Sequence, residues 1–319
     1  MKTEVDHTIS AGGKFFTDEY GQYRRLFYGM LIMTLGIMIA GFWNYHLVDG
    51  FGRDVIAGNT IGDTGALAGT FGERGGGFGF IFAAIAGLAA TFTACNCVAF
   101  AMLPGLACST DGKVKRDTAW NTLIAFTIPV VFIGAAYGIF VGFLGPEGVE
   151  AFNERPVRIA QAQAVFSIIG VIMIFWGALE LGFFNKLPAR LSSVTNEFFS
   201  ASITKAAMMG SLVGLFAVGR PFPVFREFLT YAASAQSPTY GAAVMIVHGI
   251  GQVAVLILLF ALLVYFGGNR MMSWASEKPN QPRMVTALAL LGGGAYFVFY
   301  WGIAFIYDVG RWGFKLGWY

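Results

Sequence analysis

Three groups of residues in this chain could do chemistry. The first is Cys95-Asn96-Cys97, a Cys-x-Cys inside a long apolar run. A thiol pair can form a reversible disulfide or hold a soft metal ion such as Cu(I). Two free cysteines can equally be small buried hydrophobes. Residues two apart on a regular helix face different ways, so a working pair requires unwound backbone. The second group is Arg220-Pro221-Phe222-Pro223, again within an apolar run. An arginine inside a membrane helix needs a partner or a watery cavity, and the prolines free carbonyls that its guanidinium can use. It reads either as an anion-holding cation at a helix break or as a lock on unwound backbone, with Glu180 as candidate counter-charge. The third is His248, beside Gly249, Gly251 and Gln252. It could relay protons or simply bond to a neighbouring helix. Cys108 reads as an interfacial thiol, and Arg226 and Glu227 as interfacial charges where the helix resumes. Three Cys and three His in total supply neither a disulfide framework nor a dedicated His cage. No metal site, haem or other cofactor is expected.

These residues sit in a chain that cannot be water-soluble. Of 319 residues, 56% are hydrophobic and 12% charged, about half the charged share of a soluble domain. Mean hydropathy is +0.64. A net charge of +3, with no basic cluster, gives no footing for nucleic acid. The remaining class is a polytopic protein of the lipid bilayer.

A bilayer core needs roughly 20 apolar residues per helix, and backbone amides in hydrocarbon must bond within their own segment or in a closed barrel. Seven runs meet that length, at about 26–46, 79–107, 119–145, 159–184, 203–232, 241–267 and 284–307. They predict an all-α integral membrane fold. Turn chemistry separates several of them, as at Gly145-Pro146-Glu147-Gly148 and Pro279-Asn280-Gln281-Pro282. Placing the N-terminus inside puts thirteen Lys/Arg on cytoplasmic segments and six outside, which predicts N-in, C-out. The polar residues 1–25 read as a cytoplasmic arm, 47–78 as a Gly-rich external loop, flexible or docked, and 308–319 as an external aromatic tail lying on the outer surface. The Gly134, Gly138, Gly142 stripe and the Gly210, Gly214 pair predict close helix crossings. The Phe, Trp and Tyr excess is expected on the lipid face or at the interfaces.

The second and fifth runs both start as smooth apolar helices and are then interrupted. They lie three spans apart and so run in opposite directions, which points to an inverted repeat with a central site. The second run reads Phe92-Thr93-Ala94-Cys95-Asn96-Cys97-Val98-Ala99-Phe100-Ala101-Met102-Leu103-Pro104-Gly105. It resembles the first-helix motif of the CcdA/DsbD transmembrane family, a Ser-Pro-Cys-Val stretch followed by Pro-Gly. Arg220-Pro221-Phe222-Pro223 resembles the family's second motif, a Pro-Cys-x-x-Pro stretch.

The resemblance implies a six-helix core over 79–307 in 3+3 inverted halves, with the 26–46 span an addition. It implies a conduit that passes reducing equivalents from cytoplasmic thioredoxin to extracytoplasmic thioredoxin-like proteins, in cytochrome c maturation or disulfide repair. Cys97 stands for the first-half cysteine, and Asn96 replaces the proline before it. The second half has Phe222 where a cysteine is expected, and 109–319 contains no Cys. A disulfide between halves cannot form, so a full relay is not expected. The chain is therefore read as a CcdA-like bacterial inner-membrane protein that assists maturation of exported redox proteins. The candidate site is Cys95, Cys97, Asn96, Pro104, Arg220, Pro221 and Pro223, with Glu180 and His248 as intramembrane polar groups. The alternatives are a non-catalytic subunit of a membrane electron-transfer complex and a small-solute or soft-metal transporter.

Overall fold

A computed structural model describes residues 19–93, 96, 99–100, 116–183, 202–277 and 280–318. Among them there are helices and no strands, as hydrocarbon solvation demands. The main elements are α1 (Glu19–Gly41), α2 (Tyr45–Gly50), α3 (Phe71–Ala90), α4 (Arg116–Asn153), α5 (Arg155–Glu180), α6 (Ser202–Gly219), α7 (Pro223–Ala233), α8 (Pro238–Glu277), α9 (Asn280–Phe297) and the short α10 (Trp312–Lys315). Five described helices are long and apolar enough to cross a membrane, and six if α6 and α7 form one bent span. The second expected run, 79–107, is represented by α3 and a few residues beyond it; Cys95, Cys97, Pro104 and Cys108 lie outside the described residues.

The largest packing interfaces join α4 to α8, α4 to α6, α5 to α9 and α3 to α8. Exchanging α3, α4, α5 for α6, α8, α9 turns that set of pairs into itself. The added helix α1 lies against α9. Glycines make these approaches possible. A methyl group on Gly138 would overlap the carbonyl oxygen of Gly241, and one on Gly241 that of Gly138. Gly210 meets Phe126 O in the same way, and Gly36 meets Gly292 O. The small-residue stripes thus act as read from sequence.

The aromatic excess is divided between the outer surface of the bundle, where Phe132, Phe143 and Phe266 are exposed, and its interior. Phe166, Phe216 and Phe297 form one buried cluster, and Phe82, Phe225, Phe228 and Tyr231 form another. Large rings fill the gaps that small residues leave between bent helices. Trp312 packs against Phe42 and Phe299 over Gly41, while Trp318 stays exposed beside Phe42.

The Gly-rich 47–78 segment is docked and mostly helical. Asn44 caps α2 by accepting from Leu47 N–H. A π-helical stretch, Phe51–Gly58, follows. Asp63 caps the turn Thr64–Leu67 through Gly65 and Ala66 N–H. Helix α3 begins at Phe71, earlier than its apolar run, and bends at Gly75, whose φ of 71° favours glycine. The Tyr231 and Tyr240 hydroxyls donate to Gly75 O and Gly76 O and tie that bend to α7 and α8.

Candidate functional site: two helix breaks

The first break follows Ala90. There the α-helical ladder gives way to tight turns, with Thr91, Phe92 and Thr93 N–H bonding three residues back. Ala90 O accepts from Thr93 Oγ1 at 2.8 Å and from Asn96 Nδ2 at 2.8 Å. Thr91 Oγ1 donates to Gln252 O at 2.9 Å. Gln252 Nε2 reaches both Asn96 Oδ1 and Val213 O at 3.4 Å. Thr91, Thr93, Asn96 and Gln252 are all buried. Side chains thus supply the bonds that unwinding removes, as a buried site requires.

The second break separates α6 from α7, whose axes meet at 77°. Pro223 opens α7 at a position that needs no N–H donor. Freed carbonyls again find side chains. Val218 O accepts from Gln161 Nε2 at 2.7 Å, and Arg220 O from Arg226 Nε at 2.7 Å. Arg220 is 1% exposed. Its charge acts on Asp49 of α2 and on His248 of α8. Burial pushes the Asp49 carboxyl up to about 6, opposed by the pull of Arg220 and Arg53.

The docked segment touches both breaks. A methyl group on Gly52 would overlap Ala89 O, at the end of α3, and lie 3.3 Å from Phe222 Cζ. Phe51 packs edge-on against Phe92, with centroids 4.9 Å apart. Thr64 Oγ1 donates to Glu227 Oε2 of α7. The two interruptions therefore lie within reach of one glycine.

The predicted residues divide as follows. Asn96, Arg220, Pro221 and Pro223 sit at the breaks. His248 is fully buried one turn from Gln252, its ring 5.6 Å from and nearly parallel to that of Phe228, and 4.8 Å from Phe225. Glu180 is not the counter-charge of Arg220. It pairs with Lys205 at 2.9 Å and Arg283 at 2.8 Å, where the ends of α5, α6 and α9 meet. The bend at the second break turns Arg226 inward, and it is 3% exposed. Asp49, Gln161 and the bridging role of Gln252 escaped the sequence reading. A lone amide within an apolar run was the available signal for Gln252; nothing local marks Asp49.

A membrane bundle with two interrupted helices meeting at a buried polar centre defines a class. The family model of the cytochrome c biogenesis protein transmembrane domain, that of DsbD, matches residues 78–275, more than half of the chain. The chain belongs to this family of multi-pass membrane proteins of cytochrome c biogenesis and thiol–disulfide transfer. No curated protein matches the chain, and no solved structure does.

Proposed function

We propose that this protein supports the maturation of exported redox proteins through thiol chemistry confined to Cys95 and Cys97. The observation that carries the reading is the anchoring of Asn96, the residue between the two cysteines, to Ala90 O and Gln252 at a helix break. The exchange pattern of helix pairs supports a 3+3 inverted repeat, with α1 outside it. The charge bias supports an N-terminus in the cytoplasm of a bacterial-type inner membrane and a C-terminus outside. The partners are extracytoplasmic or membrane redox proteins, thioredoxin-like ones among them. No resident cofactor is needed. In the proposed step the Cys95 and Cys97 thiols lose two protons and two electrons and form one disulfide. A partner's disulfide takes up both and becomes a dithiol.

A second reading is a non-catalytic subunit of a membrane electron-transfer complex. It is favoured by the absence of any cysteine in 109–319, which excludes an inter-half disulfide. Alkylation of membranes carrying the Cys108→Ser protein, before and after reduction, separates the two. Two thiols that become reactive only after reduction support thiol chemistry. Thiols indifferent to oxidant, in a protein that still co-purifies with haem-bearing subunits after Cys95→Ser and Cys97→Ser, overturn it in favour of the second reading.

A further inference from the structure

Residues 45–67 cover both helix breaks without being built into the bundle. The breaks fall within the matched residues 78–275, and the covering segment lies ahead of them. Its ends are fixed. Trp43 meets Tyr296 edge-on, with centroids 5.3 Å apart, and Tyr231 and Tyr240 hold the backbone at Gly75 and Gly76. Between those posts the seat is light. Among the described side chains of the segment only Ala57, Thr64 and Leu67 are buried, and the buried Gly50 and Gly52 have no side chain to pack. Arg53, Asp54, Asn59, Thr60 and Asp63 are exposed, so the outer face is polar. The chain is free to turn at Gly69, where an added methyl group would touch nothing. The part over the first break is the π-helical stretch Phe51–Gly58, a rare form that recurs at functional sites.

The segment is clasped at its far end. Thr64 Oγ1 donates to Glu227 Oε2 of α7, and a hydrogen bond to a carboxylate is stronger than one between neutral groups. Nearer its start, Phe51 lies on Phe92 and Gly52 on Ala89 O, the residues that lead into Asn96 and the cysteines on either side of it. Thiol–disulfide exchange brings a thiolate onto a partner's disulfide sulfur, and a protein partner cannot make that approach through Phe51 and Gly52. Segments with few buried side chains open on their own, ahead of the core they rest on. We infer that residues 45–67 are a hinged flap, clasped by Thr64 and Glu227, that shields the first break and lifts to admit a protein partner's disulfide. This regulation rests on the thiol chemistry proposed above for Cys95 and Cys97.

The test uses the full chain in detergent, with Cys108→Ser as the parent and its two remaining cysteines reduced. A maleimide carrying a polyethylene glycol chain is added, and its rate of reaction with Cys95 and Cys97 is measured in the parent, Thr64→Val, Gly52→Ala and the control Thr60→Val. Thr60 is exposed and bonds to Ile56 O and Ala57 O inside the flap. Thr64→Val removes the clasp at nearly equal volume and raises the rate about tenfold, with the control rate and the thermal midpoint unchanged. Gly52→Ala, whose methyl group would overlap Ala89 O, raises it as well and decides the matter if Thr64→Val does not fold. A parent as reactive as the chain unfolded in dodecyl sulfate, equal rates in all the proteins, or rises that only follow a fall in the midpoint overturn the flap. Reduced thiols report their cover whether or not they ever pair, so a failed flap and a failed disulfide are separate results.

Discussion

Gln252 of α8 donates to Asn96 at the first break and to Val213 of α6, both at 3.4 Å, so one amide links the two interrupted helices. Its backbone carbonyl holds Thr91 as well. A polar group in this position ties the region together only while each partner is satisfied.

Gln252→Leu keeps the volume and removes the amide. It leaves Asn96 Oδ1 and Val213 O without that donor, and a stability loss of about 1–3 kcal/mol is expected. The check is the unfolding midpoint in denaturant. A midpoint within error of wild type would show that the bridge carries nothing.

Gly138→Ala forces α4 and α8 apart, because the added carbon overlaps Gly241 O. Overpacking of this kind costs about 1–3 kcal/mol. Gly69→Ala meets nothing within 4 Å and leaves the melting temperature unchanged. Thermal unfolding of the two variants side by side decides the point.

Asp49 gives the fold a pH dependence of defined sign. Its carboxyl titrates at about 6 in the folded chain against an ordinary value of 3.8. The folded state therefore holds this proton more tightly than the unfolded state. Stability contributed by Asp49 falls as pH rises from about 4 to about 6, by roughly 3 kcal/mol. Asp49→Asn removes that slope. Unfolding midpoints across this window in the two proteins test it; equal slopes would refute the burial of this carboxyl.

Glu180 is 2% exposed and holds Lys205 and Arg283. Glu180→Gln strands the Lys205 ammonium, which is 18% exposed, and is expected to cost about 3–5 kcal/mol. Arg283 is 37% exposed, so Arg283→Gln is expected to cost at most about 1 kcal/mol. The two unfolding midpoints measure the contrast, and equal losses would mean that the pairs are not ranked by burial.

Much of the fold is legible locally. Apolar length declares the helices, Gly138 and Gly142 declare a close crossing, and two prolines after Arg220 declare a break. Each is a property of a few neighbouring residues. What escapes depends on direction in space. Arg226 is one turn past the break, and only the 77° bend determines whether that turn points out or in. Glu180 selects Lys205 and Arg283 because three helix ends converge there. Asp49 and Gly52 belong to a segment whose Gly content reads as slack, and their docking is decided by the surfaces of α3 and α7.

The convergence at Glu180 also sets where this bundle can give. One carboxylate clamps the ends of α5, α6 and α9, and Arg25 Nη1 of α1 donates to the adjacent Leu181 O. From Lys205 to the end of α6 is fourteen residues, about 21 Å of helix. That end therefore behaves as a fulcrum. Any swing of α6 against its neighbours has its greatest travel beside Phe222 and the Gly52 segment, so the protein is stiffest at the Glu180 clamp and most yielding at the second break.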